Sequence, residues 1–336
     1  MKKTYKPLVA GIFFISGFIF CTSALGQKEF KHDTNYYETF PDKINVRLFL
    51  SQKYIHLNIP SNGNTSDLEY KANPKLNLGA GFSYRGVSLS VFNGFSFLNK
   101  NKEDRGKTKG VNLQLHLYPK KWAVDVLAEF PKGFHLEPAG VAGAGTGKYY
   151  YREDIKSNLF GVSVYRVPNK EKFSYRAAVL QTEWQKKSAG SFLFGGGVFH
   201  GLMQGDSALI PGALSSIYPQ TGVKKISFTS VGPGVGYAHT FVFDQHFYIT
   251  GSMIFNANLN FVSEDGAKKE SKVSFNGSDV FKAALGYNSP TWNVSANWAG
   301  NGIWIKGSTT NENYFFPSGL VRVVLAHKFT VHKHHS

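Results

Sequence analysis

The chain has 336 residues, of which 42% are hydrophobic, 18% charged and 15% aromatic, and it contains 35 glycines. Its mean hydropathy of −0.23 excludes a bundle of membrane helices, and the many aromatic residues exclude a disordered chain. Few charges, many aromatics and average hydropathy are together typical of a β-barrel in a lipid bilayer. The net charge of +16 favours a basic surface near anionic lipid, although solvated lysine-rich loops would explain it equally well.

Residues 1–26 have the pattern of a secretory signal peptide. Three lysines precede an apolar run at 8–20, and a small-x-small cleavage site ends at Gly26. The apolar run is too short for a membrane-spanning helix. Cleavage before Gln27 would remove those lysines and Cys21, the single cysteine of the chain. We therefore expect a mature protein with a net charge of +13 and without disulfides.

The chain continues with a short periplasmic lead-in at 27–42 and an alternating body at 43–331. In the body, apolar and polar side chains take turns, as they do on strands whose two faces meet different surroundings. The alternation predicts thirteen strands, at 43–58, 75–84, 87–98, 108–118, 122–130, 155–166, 173–184, 191–202, 226–243, 247–262, 279–288, 291–305 and 319–330. A histidine-rich tail follows at 332–336.

Three features favour a membrane barrel over a soluble β-sandwich. Strands such as 226–243 are longer than the roughly six residues usual in soluble sheets. Short turns alternate with long polar loops such as 131–154. The final strand ends on Phe329, and a terminal aromatic strand resembles the signal that barrel-insertion machinery reads.

We therefore predict an all-β fold, a transmembrane antiparallel up-and-down β-barrel of about 12 strands, with ten to fourteen possible. An odd number of strands is not expected in a bacterial barrel. The error in the strand count is expected at 43–58, where the apolar residues change from even-numbered to odd-numbered positions near Lys53, or between 173 and 225. The expected location is the outer membrane of a Gram-negative bacterium. Its expected partners are membrane lipid, lipopolysaccharide and the insertion machinery, with no nucleic acid.

Three stretches resemble an uncharacterised family of Gram-negative outer-membrane proteins, domain of unknown function 4421. They are Leu76–Val91 (LNLGAGFSYRGVSLSV), Val111–Phe134 (VNLQLHLYPKKWAVDVLAEFPKGF) and Phe173–Gly190 (FSYRAAVLQTEWQKKSAG). The resemblance covers most of the mature chain. It implies an outer-membrane barrel and carries no established activity.

Polar residues on the strands are the candidate lumen residues, because their apolar neighbours are expected to face lipid. These candidates are Arg47, Gln114, His116, Asp125, Glu129, Lys156, Arg176, Glu183, Arg322 and Lys328. They would either line a watery pore or pair with one another and close it, and the sequence does not separate these cases.

Chemical motifs are weak. Gly205-Asp206-Ser207 resembles the Gly-Asp-Ser start of some lipases, and His200 and His239 are the candidate bases for Ser207. The spacing of these residues does not indicate a catalytic set. We expect no cofactor and no metal site. The first functional hypothesis is a small-solute channel or binding barrel. The alternatives are a lipid-modifying hydrolase using Ser207 and a structural or surface-interaction barrel.

Overall fold

The computed structural model describes residues 32–61, 65–73, 75–84, 87–99, 103–119, 121–310 and 312–331. The predicted signal peptide, with its cleavage site at Gly26 and Gln27, and the tail at 332–336 lie outside the described residues. The described elements are, in chain order, β1 (Tyr37–Glu38), β2 (Lys43–Ile59), β3 (Leu68–Ala72), β4 (Leu76–Tyr84), β5 (Val87–Asn93), β6 (Lys109–Leu117), β7 (Trp122–Glu137), β8 (Tyr151–Arg166), α1 (Tyr175–Val179), β9 (Trp184–Gln185), β10 (Ala189–Gln204), β11 (Lys225–Phe243), β12 (Phe247–Asp265), β13 (Lys269–Asn288), β14 (Trp292–Lys306) and β15 (Asn313–Thr330). In this part of the chain no helix is long and apolar enough to cross a membrane.

The strands form a closed antiparallel barrel, which confirms the predicted fold class. Ten of them complete the ring: β2, β3, β7, β8 and β10 to β15. The ring closes where β15 pairs with β2, in a register that runs from Thr330 opposite Lys43 to Phe315 opposite Asn58. Ten strands is the lower end of the predicted range.

The barrel has two different ends. We call the turn end the one where β2 begins and β15 ends, and where the tight turns at 244–246 and 289–291 lie. We call the loop end the opposite one, which carries the long connections at 138–150 and 205–224. The connection at 167–188, between β8 and β10, is also long but lies at the turn end.

The extra strands widen the wall at the turn end. β3 pairs with the loop-end half of β2 through His56 to Ile59, and β4 pairs with the turn-end half through Asn45 to Gln52. β7 divides in the same way, between β3 and β6. The wall near the turn end therefore contains β4, β5 and β6 where the loop end has β3 alone. Within the described residues, no hydrogen-bonded ladder joins β5 to β6.

The predicted strand at 173–184 is wrong. The segment contains the helix α1, capped by Ser174, whose side chain accepts a hydrogen bond from the Ala177 amide. Its apolar residues are buried because the segment lies against the inside of the barrel, so their spacing does not report a strand face. Without it, twelve of the predicted strands remain, which removes the odd count. The five-residue strand β3 was not predicted.

A change in side-chain pattern divides β2 along its length. Its odd-numbered residues face inward throughout, but apart from Phe49 the inward residues are polar from Asn45 to Ser51, and they are apolar from Ile55 to Ile59. The outward residues change in the opposite sense, from apolar residues such as Val46 to polar residues such as Asn58. The parity switch near Lys53 is therefore not a bulge. It marks where the outer face of β2 stops being apolar. On β12 and β13 exposed apolar residues continue further toward the loop end, as far as Phe261 and Val273.

Candidate functional site in the barrel lumen

The turn-end half of the lumen contains a cavity of ≈ 140 Å³. Its lining includes the charged and polar side chains Arg47, His116, Asp125, Lys282, Asn301 and Arg322. They are contributed by β2, β6, β7, β13, β14 and β15, so the cavity is formed by strands from around the barrel and not by a single hairpin.

Asp125 is the centre of a fully compensated charge cluster on one side of the cavity. Its carboxylate lies 2.6 Å from the Lys282 ammonium and 2.6 Å from His116 Nδ1. The Tyr118 hydroxyl donates to the same carboxylate at 2.6 Å and accepts from Lys282 at 2.9 Å. The ammonium also lies over the rings of Tyr118 and Tyr175. This cluster has few free donors left for a ligand.

Arg47 projects across the inner face of the neighbouring strand. Its guanidinium crosses Gly81 of β4, where a Cβ atom would lie 3.0 Å from Nε. Beyond this glycine it donates to the hydroxyls of Ser88 and Ser90 on β5. Arg47 is only 8% exposed, yet no carboxylate pairs with it among the described residues. Its charge therefore faces the cavity uncompensated by the protein.

Arg322 is the second uncompensated cation of the cavity. Its guanidinium lies 4.5 Å from the ring centre of Phe49, which stands two positions after Arg47 on β2. Arg322 makes no ion pair within the part of the chain that the structure describes. A buried arginine beside a half-buried one is costly without an acid unless an anion joins them.

Several polar atoms around the cavity lack a partner in the protein. They include Nε of both Arg47 and Arg322, Oδ1 of Asn297 and Nδ2 of Asn301. Buried polar groups are nearly always hydrogen-bonded, by protein or by something bound. Three of these four atoms are donors, so the site is matched to an acceptor-rich group such as a carboxylate or a phosphate.

The segment 167–188 closes the turn end of the lumen, and we call it the plug. Gln185 holds it together: its carbonyl accepts from the Ser174 amide at 2.9 Å, and its amide donates to the carbonyls of Tyr36, Lys172 and Lys187. β9 of the plug also pairs with β1 of the lead-in.

The plug is fastened to the barrel wall at three places. Arg176 donates to the Tyr118 carbonyl at 2.7 Å, and Trp184 donates to the Gln245 carbonyl at 2.8 Å. The Asn288 side chain donates to the Glu183 carbonyl at 2.8 Å. Arg176 and Glu183 also pair with each other at 3.4 Å. These two predicted lumen residues thus belong to the plug and not to the wall.

Apolar packing closes the loop end. Inward side chains of the wall form one continuous core, which includes Ile55, Leu57, Ile59, Leu136, Ile303 and Ile305. The 205–224 connection covers this core. The Tyr70 hydroxyl donates to the Leu209 carbonyl at 2.6 Å, and the Tyr218 hydroxyl donates to the Ser66 carbonyl at 2.8 Å. Burial raises the pKa of the Tyr218 hydroxyl, so it stays a neutral donor.

Two further predicted residues face the lumen outside the cavity. Glu129 is buried and pairs with Lys53 of β2 at 2.5 Å. Lys328 is buried near the turn end, where it donates to the Asn288 side chain and the Ser289 carbonyl at 2.7 Å each. Gln114 lies on the cavity lining.

Lys156 was predicted to face the lumen, but it lies exposed on the outer face of β8. Its neighbours Ile155 and Ser157 are the buried, inward residues. The prediction assumed an apolar outer face along the whole strand. Lys156 stands in the loop-end half, where the interior is apolar and the outside is polar, so the assignment of faces is reversed there.

The residues of the hydrolase hypothesis do not form a catalytic set. Ser207 is exposed in the 205–224 connection, and its carbonyl accepts from Arg152. His200 Nδ1 lies 3.0 Å from the Thr229 hydroxyl on the outside of the wall. His239 lies near the turn end, 3.2 Å from the Tyr237 hydroxyl. No group of three or more metal-ligating side chains occurs in the described chain.

Lys282, which lines the cavity, and its partner Tyr118 were not among the predicted lumen residues. Lys282 was available from the alternation, because it stands between outward Phe281 and Ala283 on β13. Tyr118 was available in the same way, because it stands in the predicted strand 108–118 at the spacing of Gln114 and His116.

Comparisons with solved structures find β-barrels of low similarity. The outer membrane protease OmpT from Escherichia coli is 10% identical with a TM-score of 0.40, over 91% of this chain and 100% of OmpT. The translocator domain of the autotransporter NalP from Neisseria meningitidis is 9% identical with a TM-score of 0.33, over 96% and 97%. The outer membrane protein OprG from Pseudomonas aeruginosa is 12% identical with a TM-score of 0.22, over 88% and 98%.

Sequence comparisons give a clearer result. No curated protein matches the chain. The profile of the domain of unknown function DUF4421 matches residues 31–329, from before β1 to the end of the barrel. The resemblance seen in the sequence is thereby confirmed, and the chain belongs to the DUF4421 family.

Proposed function

We propose that this protein is an outer-membrane binding barrel that holds a small anionic solute in its lumen. One observation carries the proposal: Arg47 and Arg322 line the same cavity, and within the described residues no carboxylate pairs with either guanidinium. Arginine is suited to this role because its planar guanidinium binds carboxylate and phosphate through two donors at once.

The outer-membrane location rests on three sequence and structural features together. These are the signal-peptide pattern, the closed wall, and the apolar outer belt on the turn-end half. With the turn end in the periplasm, as bacterial barrels are oriented, the polar loop-end half would project beyond the membrane. There it would meet lipopolysaccharide.

A binding barrel fits the lumen better than an open pore does. The plug covers the turn end, and the apolar core with the 205–224 connection covers the loop end. A channel would need at least one of these to move. The hydrolase alternative is not supported, because neither His200 nor His239 is hydrogen-bonded to Ser207 in the described chain.

Binding of radiolabelled inorganic phosphate to the full barrel, in phosphatidylcholine nanodiscs, tests the proposal. We expect Arg322→Gln to weaken binding roughly tenfold through loss of charge-assisted hydrogen bonds, and Arg322→Lys to recover part of the loss. Arg166→Gln is the matched control, because Arg166 is exposed on the outer face at the turn end. Equal binding by wild type and Arg322→Gln, or no binding by wild type, would contradict the proposal.

A further inference from the structure

The wall of the barrel is interrupted beside the cavity. β5 (Val87–Asn93) pairs only with β4, and β6 (Lys109–Leu117) pairs only with β7, within the described chain. We call the interval between β5 and β6 the seam. Seven residues of β5 border it, which corresponds to about 20 Å along the strand. This is close to the height of a membrane barrel's apolar belt, about 25 Å.

Side-chain exposure shows that the seam is open on both faces. Val91 of β5 is 76% exposed on the outside, and Phe92, which follows it on the inner face, is also exposed. On β6 the outward Leu113 and the inward Gln114 are both exposed. The unpaired edges of β5 and β6 leave an interval in the wall between the outer surface and the lumen, and exposed side chains border it on both faces.

The connection between β5 and β6 frames the seam on the loop side. The Asn99 side chain accepts from the Leu76 amide at 2.8 Å and donates to the Leu76 carbonyl at 3.0 Å. The Thr108 hydroxyl accepts from the Asn73 amide at 2.7 Å and donates to the Gly133 carbonyl at 2.6 Å. The two described ends of the connection are therefore tied to the wall on the loop side of the seam.

The chemistry changes along the path through the seam. Its outer mouth is apolar, with the exposed side chains Leu89, Val91, Leu113 and Leu115. Its inner end is cationic, because the Arg47 guanidinium is held by Ser88 and Ser90 on the β5 edge. Gln114 and His116 stand on the β6 edge and line the same cavity.

We propose that the seam admits an anionic amphiphile from the lipid phase, with its head bound at Arg47 and Arg322 and its hydrocarbon chain lying in the seam. The proposal rests on the function proposed above and adds the class of ligand and its route. An apolar tail matches the mouth, and a phosphate or carboxylate head matches the two arginines. A hydrocarbon chain between β5 and β6 would also cover the inner face of Phe92.

Chain-length dependence of binding tests the class of ligand. In nanodiscs of phosphatidylcholine, corrected for label held by empty discs, we expect dodecyl phosphate to bind roughly 100-fold more tightly than inorganic phosphate. Equal affinity for the two probes would overturn the amphiphile proposal and leave the anion site standing. Absence of binding by either probe would instead overturn the proposed function itself.

A cross-link across the seam tests the route. The mature sequence lacks cysteine, so a Val91→Cys/Leu113→Cys pair can be joined by a bismaleimide. Both side chains face outward, away from the cavity. The matched control is Ala80→Cys/Val91→Cys, because these residues stand opposite each other on the paired strands β4 and β5. We expect the seam cross-link to slow dodecyl phosphate uptake roughly tenfold relative to the control cross-link, with inorganic phosphate binding unchanged. Uptake at the control rate would overturn the route.

Discussion

Lys282 shows how a buried charge is held in this barrel. Its ammonium is bonded to Asp125 and Tyr118 and lies over two tyrosine rings, so all of its interactions come from the protein. Arg322 on the same cavity has an aromatic contact but no acid. The contrast between the two cations separates a structural charge from one that is available to a ligand.

Removing the Lys282 charge is expected to destabilise the barrel without abolishing anion binding. Lys282→Met leaves Asp125 buried without its main cation, which costs about 3 kcal/mol in the free energy of unfolding. Adding Asp125→Asn should recover most of that loss. Urea unfolding in lipid vesicles, followed by tryptophan fluorescence, measures both effects.

The control for this prediction is Lys268→Met, since Lys268 is exposed in the tight connection between β12 and β13. It should change the free energy of unfolding by no more than about 0.5 kcal/mol. A loss of similar size in Lys268→Met and Lys282→Met would show that the Asp125 cluster has no special role in stability.

The plug is the element whose structure differs most from the sequence expectation. Its residues Phe173, Tyr175 and Ala177 are spaced like the inward face of a strand, and all three are buried. A local pattern reports that side chains are buried, not which partner buries them. Here the partner is the inside of the barrel, a contact between distant parts of the chain that no local period encodes.

Gln185 controls the stability of the plug as a unit. Gln185→Ala removes four hydrogen bonds and leaves their backbone partners unsatisfied, which costs about 1–3 kcal/mol. Local opening of the plug should therefore become roughly tenfold more frequent. Trypsin cleavage at Arg176, added from the turn end, and conductance in planar bilayers both report this opening.

We expect wild type to show no steady conductance and Gln185→Ala to show intermittent openings. The control is Glu171→Ala in the same segment, because the Glu171 side chain is exposed. Steady wild-type conductance would mean that the plug does not seal the turn end. An unchanged cleavage rate in Gln185→Ala would mean that Gln185 does not fasten it.

At the scale of the whole molecule, the outer face of the barrel is apolar toward the turn end and becomes polar toward the loop end. The sequence predicted β10, β11, β12 and β14 nearly to their ends, because alternation is long and regular there. It began β13 at 279 instead of Lys269 and β15 at 319 instead of Asn313. It assigned Lys156 to the wrong face because alternation gives the period of a strand but not the side on which lipid lies. The side is decided by height along the barrel, which depends on the register between neighbouring strands. The register also creates the seam, where β5 and β6 leave their edges unpaired.

The division along the axis predicts where the wall tolerates charge. Leu48 lies at the centre of the outward apolar residues of β2 and is 57% exposed. If this face contacts lipid, Leu48→Lys should cost about 2–4 kcal/mol of folding free energy in bilayers, as lysine does near the bilayer midplane. Ser271→Lys, on an exposed loop-end position of β13, should cost about 0–1 kcal/mol because that position is beyond the belt. Reversible urea unfolding in vesicles measures the two values. Equal costs at the two positions would mean that the boundary between membrane and water does not follow the change in pattern at Lys53.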